Sequence, residues 1–119
     1  MNQLDFHNLN YNLISFSSLI EGTLHLNGET ILNANIKGTV MMKDSSKLTI
    51  ERGAVITGNV YCHDVQIFGR IDGEVNSIGV VTVHSSAVIN GKIQAKKLAI
   101  FPGSIVNTSV STQEDQTIN

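Results

Sequence analysis

The residues able to do chemistry near neutral pH are few: one cysteine, Cys62, and four histidines, His7, His25, His63 and His84. A metal site needs three or four ligands with oriented supporting groups. The histidines are scattered. Only His63 and His84 could approach one another, so all four read as outward surface residues. Cys62 follows Val60 by two positions, so strand parity turns it inward. No base partner is evident, and a buried apolar thiol is the reading rather than a nucleophile. Asp64, Asp72 and Glu74 fall in turns or on outward positions. A carboxylate pair could cleave a glycoside, but aromatic platforms for a sugar are lacking. None of the ten glycines opens a helix, so a phosphate loop is not expected. The chain is therefore expected to have no catalytic residues, no metal and no cofactor.

Composition narrows the class further. Charged residues make up 15% of the 119 residues and the formal net charge is −2. A broad nucleic-acid surface would be basic. No Lys or Arg precedes Lys37, so no polybasic lipid anchor lies near the N-terminus. A single cysteine makes no disulfide framework and fits a reducing, cytoplasmic setting. No apolar run approaches the roughly 18 residues of a membrane span, and the first residues do not read as a secretory signal. Val, Ile, Thr and Asn are plentiful and helix formers sparse, a balance that favours strands and tight turns.

The elements that position these residues come from an internal repeat. The phrase apolar-x-Gly-x-apolar occurs at Ile20–Gly22–Leu24, Ile36–Gly38–Val40, Ile56–Gly58–Val60, Ile71–Gly73–Val75 and Ile89–Gly91–Ile93, with a degenerate copy at Val106–Thr108–Val110. The middle positions are 16, 20, 15, 18 and 17 residues apart. Between the copies stands a second phrase, apolar-x-apolar, at Leu48–Ile50, Val65–Ile67, Val81–Val83 and Leu98–Ile100, with Thr30–Leu32 as a version whose first member is polar. Each unit holds two or three short strands of period 2, separated by Gly, Asn, Asp and Ser. No unit contains the helical crossover that a parallel sheet normally needs. A chain that coils and lays each strand on its own previous turn escapes that need. The expected fold is all-β: a parallel β-helix of about six turns stacked at about 4.8 Å. Its glycines face inward at a corner. Glu21, Lys37, Thr57, Asp72, Asn90 and Asn107 form one outward column. Thr23, Thr39, Asn59, Glu74, Lys92 and Ser109 form the next, so Glu21/Lys37 and Glu74/Lys92 are expected to be opposite charges on adjacent turns.

The ends carry the functional reading. A β-helix ends in unpaired strand edges over an apolar core, which soluble repeat proteins cap. Residues 18–110 are expected to form the β-helix and 111–119 a disordered polar tail, leaving Leu98, Ile100, Val106 and Val110 exposed with Phe101 nearby. Residues 1–17 form an N-terminal tail in which Phe6, Leu9, Leu13 and Phe16 have helical spacing but Asn is abundant. Two readings stand: an arm lying on the first turn, or a membrane-contacting peptide using Leu4, Phe6, Leu9, Leu13, Ile14 and Phe16. Uncapped ends should pair with another copy, so self-assembly is expected, polar or non-polar according to which ends meet.

The segments "LTIERGAVITGNV" (48–60), "VQIFGRIDGEV" (65–75) and "LAIFPGSIV" (98–106), in this order and with these connectors, resemble the bactofilins, bacterial polymer-forming cytoskeletal proteins. The resemblance covers about residues 18–110. It implies a right-handed β-helix with flexible tails that assembles end to end, without nucleotide, into non-polar filaments. It further implies a scaffold at the inner membrane that recruits cell-wall synthesis or hydrolysis enzymes and shapes the cell. Polymer contacts map onto Leu98, Ile100, Val106 and Val110 at one end and Ile20, Leu24 and Leu26 at the other. The family's basic membrane-targeting residues have no counterpart here, and Ala34 and Thr108 stand where glycine is usual. Two rival classes are a monomeric β-helix adaptor and a left-handed β-helix enzyme of acyltransferase or carbonic-anhydrase type. The enzyme would need a strict hexapeptide period, which spacings of 15–20 do not give.

Overall fold

The alternation of apolar and polar residues becomes strand throughout. The computed structural model describes residues 3–6 and 11–114. Its elements are β1 (Gln3–Phe6), β2 (Tyr11–Leu26), β3 (Glu29–Met42), β4 (Leu48–Ile50), β5 (Val55–Cys62), β6 (Val65–Ile67), β7 (Arg70–Ser77), β8 (Val80–Val83), β9 (Val88–Ile100) and β10 (Ile105–Glu114). Every pairing is parallel, and each long strand lies on the strand one coil earlier. The fold is a parallel β-solenoid of about six turns.

The chain passes three ladders in each turn. The first holds Thr30–Leu32, Leu48–Ile50, Val65–Ile67, Val81–Val83 and Leu98–Ile100. The second holds the segment that ends at each corner glycine, and the third the segment that follows it. Ile20, Ile36, Ile56, Ile71, Ile89 and Val106 stack in one inward column of the second ladder; Leu24, Val40, Val60, Val75, Ile93 and Val110 stack in the third. Leu32, Ile50, Ile67 and Val83 fill the first ladder's interior, and all are buried. The period of 2 thus places one side chain of every two in a single continuous core. Thr30, the polar member of that core, donates its hydroxyl to the carbonyl of Gly28 at 3.0 Å, which satisfies it in place.

The corner between the second and third ladders depends on glycine. Gly58 has a φ of 139°, and a Cβ built on it would lie 1.8 Å from the carbonyl oxygen of Gly38 directly beneath. Gly38, Gly73 and Gly91 show the same approach at 1.9–2.0 Å to the glycine one turn earlier. Parallel in-register stacking superposes each corner on its predecessor, and only a residue without Cβ lets the backbones meet there.

The paired sheet extends past both boundaries drawn from the sequence. Tyr11–Ser15 pairs with Glu29–Asn33, and β1 lies on Thr23–Leu26 in register. Thr112 and Glu114 still oppose Ala95 and Lys97. Where the spacing in residues 1–17 suggested a helical stripe, pairing onto the next turn wins, in keeping with the weak helix propensity of its asparagines. The bend between the first and second ladders of this turn is irregular, with a register shift between Ser15 and Leu19.

Gly58→Ala should therefore lower stability by about 3–5 kcal/mol, combining backbone strain with a backbone clash that cannot relax sideways. Chemical denaturation should show this loss, while the exposed neighbour Thr57→Ala stays within about 0.5 kcal/mol of wild type. A loss under about 1 kcal/mol at Gly58 would mean the corner is not so tightly held.

Candidate assembly interfaces at the two ends

The inward columns are fully closed in the middle of the solenoid and open at its ends. Ile36, Ile56, Ile71 and Ile89 are buried, whereas Ile20 and Val106, the terminal members, are only partly so. In the third ladder Val40, Val60, Val75 and Ile93 are buried and Val110, the last member, is 43% exposed. In the first ladder Ile100 is half-buried while Val83 beneath it is buried. Some of the outward apolar residues lie at the same two places, others, Ile78 among them, on the side of the coil. Leu13 (65% exposed) and Leu19 (50%) lie on the first turn, and Ile105 (52%) lies on the last. Each end also carries a strand edge: β10 pairs only with β9, and β1 only with β2.

The two ends are not alike. At the N-terminal end β1 lies over Thr23–Leu26, and Leu24 and Leu26 are 1% and 0% exposed. They belong to the interior, so the structure does not bring them to a surface with Ile20. At the C-terminal end Ile100, Val106 and Val110 come together with half-buried Phe101 around the last turn, while Leu98 is buried. The strand-edge chemistry of a solenoid end is that of its interior, with the next turn missing. A second such end is the surface that matches it.

The comparisons with known proteins point the same way. The bactofilin family, described as polymer-forming cytoskeletal, matches residues 12–111. The chain belongs to the bactofilin family. Bactofilin BacO of Myxococcus xanthus (strain DK1622) is 24% identical to it over 91 residues, which is 76% of this chain and 71% of the relative. No solved structure matches the chain significantly. The domain is thus that of a structural, polymer-forming cytoskeletal family.

The segment read from sequence as a membrane contact is divided by the strands. Leu4 and Phe6 lie in β1, and Leu13, Ile14 and Phe16 in β2. Leu13 faces solvent, but Ile14 is buried in the core. Leu9 and His7 lie outside the described residues. No helix of the described residues is long and apolar enough to cross a membrane.

Side chains that look chemical serve the coil in this bactofilin. His84 is not a free surface residue: it stacks on Phe68 with ring centroids 4.0 Å apart and meets Phe101 edge-on at 5.1 Å. The signal for this aromatic column was present, since Phe68, His84 and Phe101 each follow the last residue of an apolar-x-apolar phrase. Asp72 accepts from Arg70 at 3.0 Å and from Asn90 at 2.9 Å, and Asn107 donates to Asn90 at 3.2 Å. The Arg70 and Asn90 hydrogen bonds hold the Asp72 carboxyl below its ordinary range. Desolvation alone would raise Asp44, but the backbone N–H groups of Gly28 and Ser46 outweigh it and the carboxyl is lowered. The expected columns are in register, Glu21 opposite Lys37 and Glu74 opposite Lys92. Neither pair closes, whereas Lys47–Glu29 and Arg70–Asp72 do. Exposed pairs of long side chains gain too little to hold one geometry. Among the described residues no group of three or more His, Cys, Asp or Glu could hold a metal ion.

Cys62 lies inward and buried, as its parity requires. Burial, reinforced by nearby Asp64 and opposed by a Ser77 hydrogen bond, pushes its thiol from 9.0 up to about 12. A thiol raised in the folded state leaves stability untouched below its unfolded value and costs stability as pH climbs between the two. Unfolding free energy should therefore fall more steeply from pH 9 to 12 in wild type than in Cys62→Val. Denaturant midpoints across that window check this, and equal slopes would show that the thiol ionises freely in the fold.

Proposed function

We propose that this bactofilin assembles end to end, without nucleotide, into non-polar filaments. We propose too that the filaments form a scaffold peripheral to the inner membrane, organising cell-shape or cell-wall machinery. The observation that carries the reading is the opening of the inward columns at the last turn, at Ile100, Val106 and Val110, beside outward Ile105. The mid-solenoid members of the same columns are closed by the turn above them. A second copy is the surface that supplies that turn.

The non-polar arrangement is part of this proposal, with each of the two unlike ends meeting its own kind. One end has open columns; the other has β1 laid over Leu24 and Leu26 and carries Leu13 and Leu19 outward. Two-fold contacts join each end to its own kind, and alternating junctions of two types propagate into a fibre. Lipid contact, where it occurs, falls to the outward residues of the first turn, with Leu13 the described example, rather than to Ile14. With no Lys or Arg before Lys37, that contact rests on apolar burial alone. Enzymes of cell-wall synthesis or hydrolysis are the partners that such a scaffold would recruit.

Electron microscopy of the purified protein with no nucleotide should show filaments without structural polarity. Val106→Arg should abolish them and keep the circular-dichroism spectrum of the parent. A parent that stays monomeric at every salt and protein concentration sinks the reading, and a Val106→Arg variant that still polymerises removes the C-terminal junction from it. For the membrane, a fluorescent fusion of the double variant Leu13→Ser, Leu19→Ser, which changes outward residues only, should lose peripheral localisation relative to the parent. Unchanged localisation would place the lipid contact elsewhere.

A further inference from the structure

The solenoid has a second surface whose polar groups go unused. On the second ladder the outward side chains are tied together along Arg70, Asp72, Asn90 and Asn107. On the third ladder they are not. Glu74 and Lys92 face each other in register without an ion pair, and Asn76 and Gln94 stack on adjacent turns without a side-chain hydrogen bond. These same residues line two clefts. One, of about 470 Å³, has Tyr61, Asn76, Ile78, Gln94 and Lys96 on its rim and buried Cys62 and Ala95 in its floor. The other, of about 270 Å³, shares Asn76 and Gln94 with the first and reaches Val110 on the last turn.

The groove has a local cause. The inward residues that end the third ladder shrink from Met42 through Cys62 and Ser77 to Ala95. The connector that follows spans Lys43–Lys47 in the first of these turns and only two or three residues in the later ones. The corner therefore recedes toward the C-terminal turns and leaves a trough across them. From the level of Met42 to that of Val110 is four strand spacings, or about 19 Å, the length of about six extended residues.

We propose that this groove binds an extended peptide segment of a partner protein, about six residues long, carrying one aliphatic side chain and at least one carboxylate. The row of amide and phenol groups from Tyr61, Asn76 and Gln94 supplies donors and acceptors to a peptide backbone, which has both. Exposed Ile78 offers the apolar contact. The charge complementarity sets the sign: among the described residues that line the groove, Lys92 and Lys96 form no ion pair and Glu74 is the one carboxylate, so an acidic segment fits and a basic one is opposed. Peptide recognition of this kind works through backbone hydrogen bonds and one or two side-chain anchors. Because the groove runs along the side of the coil, binding does not require filament assembly.

Fluorescence polarisation on the full-length protein tests this, with labelled hexapeptides that pair a Leu or Ile with Glu or Asp, and matched peptides carrying Lys instead. Acidic members should bind at least tenfold tighter than their Lys counterparts. The double variant Lys92→Glu, Lys96→Glu should reverse that preference, and Ile78→Ser should weaken both sets. Peptides bearing a photo-crosslinker should attach at Tyr61 or Ile78. Equal binding of acidic and basic peptides, no binding by any of them, or cross-links outside the groove would each overturn the proposal. The readout is independent of polymer, so acidic binding by a non-assembling protein would refute end-to-end assembly and leave the groove standing.

Discussion

At each interior corner two glycines one turn apart stack backbone on backbone, and the rest of the coil depends on that contact. A parallel strand pair needs a route back to its starting edge, and most folds supply it with a helix. Here the chain returns by turning corners, and in-register stacking forces each corner onto the one before. At the Gly58 corner the backbone beneath occupies the place of a Cβ. The inward columns, the outward ladders and the absence of any crossover all follow once that contact is allowed. The 15–20 residue spread in repeat length is taken up in connectors such as Lys43–Lys47 and never at the glycine.

A structure built by stacking like on like has no natural end. Each turn closes the columns of the one below, so the last turn always leaves its own columns open. Val106 and Val110 differ from Ile89 and Ile93 in having no described strand above them, not in chemistry or in direction. This is why the ends of a solenoid and the interfaces of its polymer are the same physical problem. The N-terminal end offers a partial answer, since four residues of β1 suffice to bury Leu24 and Leu26. Strand addition can therefore close a column, whether the strand comes from the same chain or another.

How much of this was legible follows the strength of the repeat. Every inward column, the corner glycines and the outward pairing of Asp72 with Asn90 could be read from parity and spacing. Tyr11–Ser15 and Ser111–Glu114 could not, because their Asn, Ser, Gln and Glu carry little strand signal and the pairing that holds them lies in the neighbouring turn, not in their own sequence. Of the end residues named from the sequence, Ile100, Val106 and Val110 are partly open, whereas Leu98, Leu24 and Leu26 are buried, the last two beneath β1. Glu74 and Lys92 show a further limit: register is visible in sequence, but whether two solvated side chains close on each other is a balance too small for sequence to carry.

Thr108 shows where the rule of the coil lapses. It stands opposite Gly91 in register, yet if it held the glycine's backbone conformation its Cβ would fall on the Gly91 carbonyl, as a Cβ at Gly91 would fall on that of Gly73. The last corner must therefore differ from the five before it, and the Thr108 hydroxyl is buried there without a hydrogen-bond partner. An interior turn would be pressed by another above it and would need the compact corner for that turn to seat. A β-branched residue that would break the stack at Gly58 stands at the last described corner, where no described turn presses on it.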